Sequence, residues 1–328
     1  MRSPALSVVV PVYGCVNCLQ PLLERLSRSL DGAGVEWEVI FVDDSSPDGS
    51  WARLEELSDA DERVTALHLS RNFGQHAAIT AGLEESRGEM VAVMDCDLQD
   101  PPEEIPALLA TAREGYDIVL TKRSRTHQRW LRRFAGRMYF RIRNALLKTR
   151  VDPDFSTLSV ISRPVVESFL RIGDRDRQYM LILHWLGFRR AVKELEFSER
   201  YEGHSSYTLS KLIRVALDGM FFQTTVLLRW IIYLGFAVAL AGIALAAALV
   251  TLYFVNRPPP GYTSLAVLIL LVGGFIIMST GVSGLYVGKI FEQVKGRPLY
   301  VVDRRLGGAD RAADAAVHAE STEPIRSS

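Results

Sequence analysis

Residues 91–104 read VAVMDCDLQDPPEE, an apolar run that ends in a crowded group of carboxylates. The run stops at Met94, and Asp95, Asp97 and Asp100 follow within six positions. Like charges at one strand end repel each other and raise each other's pKa, so they add nothing to the stability of a fold. The pattern therefore indicates a positively charged ligand at the end of this strand.

The first 120 residues alternate β-rich runs with amphipathic segments. Runs typical of buried strands read LSVVVPV, EVIFVDD, VTALHLS, MVAVMD and DIVLT. Amphipathic patterns separate them near residues 18–30, 51–58, 76–85 and 102–114. This alternation predicts an α/β fold in which a mostly parallel sheet carries helices on both faces. Ligands of such sheets bind outside the carboxyl ends of the strands, where the polar clusters PVYG, VDDSSPDGS and MDCDLQD fall.

The last third of the chain contains two long runs without a charged residue, at residues 231–255 and 262–288. Each is longer than the roughly 20 residues that cross a bilayer. The short turn NRPPPG joins them, which predicts a two-helix transmembrane hairpin. Basic residues flank its outer ends, so the positive-inside rule places both termini and the catalytic domain in the cytoplasm. Gly281, Gly284 and Gly288 favour close helix contact, including contact with a second protomer.

Charge is unevenly distributed although the formal net charge is zero. Residues 127–150 form a basic, amphipathic pattern that favours a helix in the membrane interface, with arginines near lipid phosphates. A core-packing helix with a solvated basic face explains the pattern equally well when it is taken alone. The adjacent hairpin favours lipid over nucleic acid as the partner. The three cysteines fit a reducing compartment, and Cys15 and Cys18 are interpreted as ordinary residues at a helix start.

The predicted domains follow from these patterns. A cytoplasmic catalytic domain spans residues 1–204 and a juxtamembrane amphipathic helix spans residues 205–228. Membrane helices at 229–256 and 262–288 flank an extracytoplasmic turn at 257–261. A cytoplasmic segment at 289–303 precedes a disordered tail at 304–328.

Carboxylates at a sheet edge commonly hold Mg²⁺ or Mn²⁺, and such a metal in turn holds a diphosphate. The chain has no G-x-G-x-x-G after its first strand and no G-x-x-x-x-G-K, so a metal and basic side chains must meet the phosphate charge. Next to a membrane-surface helix, this chemistry predicts transfer of a nucleotide-activated group to a lipid.

Seven segments, in order, carry a family resemblance: VVVPVYG, EVIFVDDSSPDGS, SRNFGQHAAITAGL, MDCDLQDPPEE, WLGF, ERYEGHSSY and FEQVKGRPLYVV. They are similar to the inverting family 2 glycosyltransferases that act on polyprenyl phosphates, over about residues 6 to 302. The resemblance implies a GT-A catalytic domain followed by the membrane hairpin. It also implies metal-dependent transfer, with Mg²⁺ or Mn²⁺, of a sugar from a UDP or GDP sugar to a polyprenyl phosphate such as undecaprenyl or dolichyl phosphate.

The resemblance also implies residue roles, which group by ligand. The nucleotide-sugar set is Pro11, Tyr13, Asp43, Asp44, Arg71, Asp95, Arg200 and Ser205. The metal set is Asp95, Asp97 and Gln99, and the acceptor-phosphate set is Arg123, Arg132 and Arg133, the last two being equal candidates. The catalytic set is Asp95, Asp97 and Asp154, of which Asp154 orients the acceptor region. Turn and cap roles remain equally open for Arg71.

The sequence departs from the family pattern in three segments. Gly14 and Cys15 replace an expected Asn-Glu, and Ser206 and Ser156 each stand where a basic residue is usual.

Two other functions remain open. A processive polysaccharide synthase would carry a Q-x-x-R-W motif, whereas LLRW at 227–230 lacks the glutamine. A non-catalytic scaffold that binds sugar nucleotides would not need the acidic cluster.

Overall fold

The computed structural model describes residues 4–123, 155–175, 177–195 and 262–307, with a few positions between 233 and 251. The chain divides into two compact units. One holds the chain up to residue 137, residues 149–205 and everything from Pro298 onward; the other holds residues 138–148 and 206–297. The predicted helices at 127–150 and 205–228, and most of the first predicted span, lie outside the described residues.

The first unit is built on one eight-stranded sheet. Its strands are β1 Leu6–Val12, β2 Trp37–Asp43, β3 Val64–Leu69, β4 Met90–Val93, β5 Ile118–Arg123, β6 Phe155–Ser162, β7 Arg190–Leu195 and β8 Val302–Leu306. Their order in the sheet is β7-β5-β6-β4-β1-β2-β3-β8. Strand β6 runs antiparallel to both of its neighbours, β8 runs antiparallel to β3, and the other pairs are parallel. The α/β class and the five predicted strands are confirmed.

Helices cover both faces of this sheet, as the alternating pattern predicts. They are α1 Val16–Gly32, α2 Ser50–Ala60, α3 Gln75–Glu85, α4 Ile105–Arg113 (after a 3-10 turn at Pro102–Glu104), α5 Arg163–Arg171 and α6 Tyr179–Leu186. Helix α1 buries one face, whose residues recur at intervals of three or four along the helix: Cys18, Leu19, Leu22, Leu23, Leu26 and Leu30. Helices α1, α2 and α4 pack on one side of the sheet, and α3, α5 and α6 pack on the other.

Strand β1 is the point at which the strand order reverses. The chain proceeds from β1 through β2 to β3 in one direction, and β4 then pairs with the opposite side of β1. The carboxyl ends of β1 and β4 therefore lie side by side at this reversal, which is where open α/β sheets bind ligands.

The C-terminal segment corrects the predicted boundary of the disordered tail at residue 304. Arg304, Arg305 and Leu306 belong to β8, which pairs with β3 at the edge of the sheet. The Arg304 guanidinium stacks 4.9 Å from the Trp51 ring centroid, and Arg305 pairs with Glu85. A polar composition suggested disorder, but an edge strand tolerates charged side chains because one of its sides faces solvent.

The N-terminus of α1 corrects the interpretation of the CxxC pair. Cys15 and Cys18 are joined in a disulfide, with 5.4 Å between their Cα atoms. One helical turn brings positions three apart onto the same face, which makes this pairing geometrically accessible.

The second unit contains the long helix α7, Tyr262–Val294. In the parts of the chain that the structure describes, no helix combines the length and apolar character of a membrane span. The transmembrane hairpin, the contact with a second protomer and the cytoplasmic orientation therefore remain predictions.

Candidate active site

The carboxyl ends of β1, β2 and β4 bring the predicted donor-site residues to one edge of the sheet. Pro11 is buried within β1, whereas Tyr13 just beyond it is 55% exposed. Asp43 ends β2 and Asp44 follows it, and the loop from Asp95 onward follows β4. The parallel registers of β1 with β2 and with β4 fix these ends side by side.

Two side chains from other elements donate hydrogen bonds to the carboxylate of Asp95, which lies in the loop after β4. Gln75 Nε2 donates to Asp95 Oδ1 at 2.7 Å, and the Thr157 hydroxyl donates to Asp95 Oδ2 at 3.2 Å. The backbone N–H of Gln99 donates to Asp97 Oδ1 at 3.2 Å. Gln75 and Thr157 were not predicted, because they reach Asp95 from positions 20 and 62 residues away in the chain.

Leu98 gives this loop its sharp turn. Its φ of 61° lies in the left-handed region, and its side chain is buried. A non-glycine residue there costs about 1 kcal/mol, so surrounding contacts must hold it. The turn separates Asp97 from Gln99, the two residues predicted to bind a metal together with Asp95.

The donor atoms of this loop fit a hard divalent cation. Asp95, Asp97 and Gln99 offer only oxygen atoms, the type of ligand that Mg²⁺ and Mn²⁺ prefer. Across the described residues, no cluster of three or more His, Cys, Asp or Glu side chains could hold a metal ion. Two carboxylates and an amide are nevertheless a sufficient protein contribution where substrate phosphates and water complete the coordination, as is usual for Mg²⁺.

Asp43 and Asp44 hold two different loops. Asp43 is fully buried; it accepts from the backbone N–H of Ser46 at 3.1 Å, and its other oxygen lies 2.7 Å from His68 Nδ1. Asp44 accepts from the backbone N–H groups of Phe73 and Gly74, at 2.7 and 2.8 Å. The two carboxylates thereby tie the end of β2 to the segments that surround the predicted nucleotide pocket.

Burial raises the pKa of Asp44 above its ordinary value, although the two backbone donors offset part of that effect. The positive charge of Arg71 offsets a further part of this increase in the pKa of Asp44. The Arg71 guanidinium stacks 4.3 Å from the Phe73 ring centroid. The structure therefore places Arg71 beside the loop that Asp44 holds. Its contact with a nucleotide remains a prediction.

Other predicted residues are only partly described or not described. Arg123 is the last residue of β5, and its side chain lies outside the described part of the chain. Six other predicted residues lie entirely outside the described part of the chain: Arg132, Arg133, Asp154, Arg200, Ser205 and Ser206. The acceptor-phosphate set thus remains a prediction from the sequence.

Gly14 has its own role at the first departure from the family pattern. Its φ of 69° is a left-handed conformation that glycine adopts without strain. Its backbone N–H donates to Ser46 Oγ at 3.2 Å, which links the loop after β1 to the loop after β2. Asp48 accepts from the backbone N–H of Val16 at 2.9 Å and from the Ser50 hydroxyl at 2.6 Å, so it shapes the turn after β2.

The cysteines near this site predict a distinctive labelling pattern. Cys96 is buried, and burial raises the pKa of its thiol to about 12. Its thiolate population at pH 8 is therefore roughly 1000-fold lower than that of an ordinary thiol. We expect iodoacetamide to label no cysteine in the native protein, one after denaturation, and three after denaturation and reduction, as counted by mass spectrometry. Rapid native labelling of Cys96, or labelling of Cys15 without reductant, would contradict this assignment.

Oxygen ligands at the reversal point of a mostly parallel sheet fit a metal-bound phosphate ligand, and comparison with known proteins identifies the class of enzyme. Residues 7–170 match the family model described as Glycosyl transferase family 2. An undecaprenyl-phosphate 4-deoxy-4-formamido-L-arabinose transferase of Proteus mirabilis is 36% identical over 311 residues, covering 92% of this chain and 94% of that protein. An uncharacterized glycosyltransferase of Synechocystis sp. is 34% identical over 304 residues, with 92% and 96% coverage.

The chain therefore belongs to glycosyl transferase family 2, and it is a glycosyltransferase. The crystal structure of glucosyl-3-phosphoglycerate synthase from Mycobacterium tuberculosis, with Mn²⁺, UDP-glucose and phosphoglyceric acid, superposes with a TM-score of 0.45 at 21% identity. That superposition covers 66% of this chain and 78% of that one, and the likeness is too distant to transfer ligands.

Proposed function

We propose that this protein transfers one sugar from a UDP or GDP sugar to the phosphate of a polyprenyl phosphate, with inversion and with Mg²⁺ or Mn²⁺ as cofactor. The reaction takes place at the cytoplasmic face of the inner membrane, where residues 229–256 and 262–288 anchor the enzyme as a hairpin. The carrying observation is the loop after β4, in which Asp95 is oriented by Gln75 and Thr157 at the ligand edge of the sheet.

Two further observations support the acceptor. The Proteus relative, which aligns over most of both chains, is named for transfer to undecaprenyl phosphate. The two uncharged runs and the basic amphipathic pattern at 127–150 are typical of segments that contact lipid. A polyprenyl phosphate agrees with both observations, because its apolar tail lies in lipid and its phosphate pairs with arginine side chains.

The chain's own residues have distinct tasks in this reaction. Asp95, Asp97 and Gln99 hold the divalent cation, which when bound offsets the charge that develops on the departing nucleoside diphosphate. Gln75 and Thr157 keep the Asp95 carboxylate in one orientation. Asp44 holds the 73–74 backbone next to the nucleotide. Arg123, with Arg132 or Arg133, holds the acceptor phosphate against the charge of the diphosphate.

The acceptor phosphate is already an anion, so its attack requires no strong general base. One phosphate oxygen forms a bond to the anomeric carbon as the bond from that carbon to the diphosphate oxygen breaks. The bonding electrons leave with the nucleoside diphosphate, and the configuration at the anomeric carbon is inverted.

The test uses full-length protein in detergent with undecaprenyl phosphate, Mn²⁺ or Mg²⁺, and a panel of UDP and GDP sugars. Mass spectrometry of the organic phase measures the product. We expect one lipid-phosphate-sugar from one donor, and none in excess EDTA. Products with many sugars would replace the proposal with a processive synthase. Nucleotide binding without any product would replace it with a scaffold.

A further inference from the structure

Asp100 lies beneath the acidic loop and is 1% exposed. Its Oδ2 accepts from the backbone N–H of Asp95 at 3.1 Å, and its Oδ1 accepts from the Ser156 hydroxyl at 2.8 Å. One buried carboxylate thus connects the first residue of the loop to the neighbouring strand β6.

Ser156 is suited to this contact by its place in the sheet. Strand β6 runs antiparallel to β4, and their pairing ends where Val93 meets Ser159. The residues before Ser159 therefore extend past the end of β4 and lie beside the loop. Ser156 is 6% exposed, and its neighbour Thr157 donates to Asp95 itself.

The loop needs such an anchor because its conformation is not one that the backbone prefers. Leu98 lies in the left-handed region, and a non-glycine residue keeps that conformation only where the surrounding contacts hold it. Asp100 holds one end through the Asp95 backbone, and Gln75 and Thr157 hold the Asp95 side chain. Without Asp100, the carboxylate of Asp95 could keep its partners while the backbone of the turn relaxes.

We propose that Ser156 and Asp100 are positioning residues for the divalent cation and the diphosphate. The Ser156 hydroxyl fixes the Asp100 carboxylate, which fixes the Asp95 backbone and with it the angle between Asp95 and Asp97. The serine that stands in place of a basic residue is thus a working part of the site. This inference rests on the proposed function for the identity of the ligand.

The test compares Ser156→Ala with Ser159→Ala in the full-length protein. Ser159 is a matched control, because it is a buried serine on the same strand whose hydroxyl contacts the Tyr179 hydroxyl at 2.9 Å and donates to the Thr157 backbone carbonyl at 3.0 Å. These partners differ from that of the Ser156 hydroxyl, which donates to Asp100. Binding of Mn²⁺ in the presence of UDP, and separately of GDP, is measured from the electron paramagnetic resonance signal of free Mn²⁺. This readout does not depend on sugar transfer.

We expect Ser156→Ala to weaken Mn²⁺ binding by about 10-fold or more, the usual consequence of losing a residue behind a metal ligand. Ser159→Ala should leave Mn²⁺ binding within about twofold of the unmodified protein. Ser156→Thr keeps the hydroxyl and should restore binding. Asp100→Asn, which replaces one acceptor oxygen with a donor, should weaken binding at least as much as Ser156→Ala.

Equal Mn²⁺ affinity in the two alanine variants would overturn the proposal, as would loss in Ser156→Thr equal to that in Ser156→Ala. Absence of nucleotide-dependent Mn²⁺ binding in the unmodified protein would overturn it as well. Failure of the proposed acceptor is a separate result: Mn²⁺ and nucleotide would bind, the variants would differ as expected, and no polyprenyl product would form.

Discussion

Replacement of Asp97 by alanine is expected to lower kcat by about 1000-fold or more while the protein stays folded. Asp97 follows β4 at the ligand edge of the sheet, and its Oδ1 accepts from the backbone N–H of Gln99 within the same loop. In the proposed reaction, the substitution removes one of two carboxylates that hold the cation, so the charge on the departing diphosphate is no longer offset. Losses of this size are typical when electrostatic stabilisation of a leaving group is removed.

The measurement is organic-phase product formation per enzyme at saturating donor and acceptor, with Mn²⁺ varied up to millimolar concentration. Glu62→Ala provides the control, since this exposed carboxylate precedes β3 at the opposite end of the sheet. It should leave the rate unchanged. Substantial transfer by the Asp97 variant in metal-replete buffer would remove Asp97 from the metal set.

Replacement of Gly88 by alanine is expected to lower the free energy of unfolding by about 3 kcal/mol or more. A Cβ at this position would lie 2.5 Å from the backbone nitrogen of Ser7 and 2.8 Å from both the Leu6 carbonyl carbon and the Met90 carbonyl oxygen. These are backbone atoms of β1 and β4, the two central strands. They cannot move aside as the end of a flexible side chain could.

The buried contacts around Gly88 make relaxation still harder. Its backbone N–H donates to the Ser7 hydroxyl at 2.7 Å, and that hydroxyl donates to Glu38 at 2.6 Å. Glu38 in turn accepts from the backbone N–H of Arg87 at 2.9 Å. A shift that accommodates the new methyl group would therefore break hydrogen bonds of buried groups.

Intrinsic tryptophan fluorescence during heating measures this effect, because Trp37 and Trp51 are both buried in the sheet unit. We expect the unfolding temperature to fall by about 6–12 °C. Gly32→Ala is the matched control, since it ends α1 and its Cβ would meet no atom within 4 Å. It should change stability by about 1 kcal/mol at most. Equal behaviour of the two variants would show that the close approach at Gly88 is not rigid.

The sequence predicts the central part of the fold because apolar, β-branched runs and amphipathic helices alternate there without ambiguity. It also places Asp43, Asp44 and Asp95 at one edge, since parallel strands end together. Strands β7 and β8 were not predicted. Both are polar edge strands, and the sequence RAVKEL or VDRRL contains too few apolar residues to indicate burial.

The hydrogen-bond partners of the site residues could not be predicted, because they come from distant parts of the chain and local sequence patterns do not show which distant residues meet. Asp100 and Ser156 are 56 positions apart, and Asp43 and His68 are 25 apart. Each pair meets only because the strand order brings their elements together. The position of Asp95 and Asp97 just after β4 could be predicted, because a carboxylate cluster after a buried strand can be recognised from neighbours in the chain. Their role in binding a metal stays a prediction.

Strand β8 has a consequence for how this protein is made. The partner that covers the open edge of β3 is separated from it by most of the chain, including helix α7. During synthesis, the ribosome releases the first seven strands long before residues 302–306 emerge. Strand β3 of the nascent catalytic domain therefore remains an unpaired edge strand until translation has passed through the long helix α7. During that time the edge can pair with another chain. The sheet is therefore complete only after the whole preceding chain has been made.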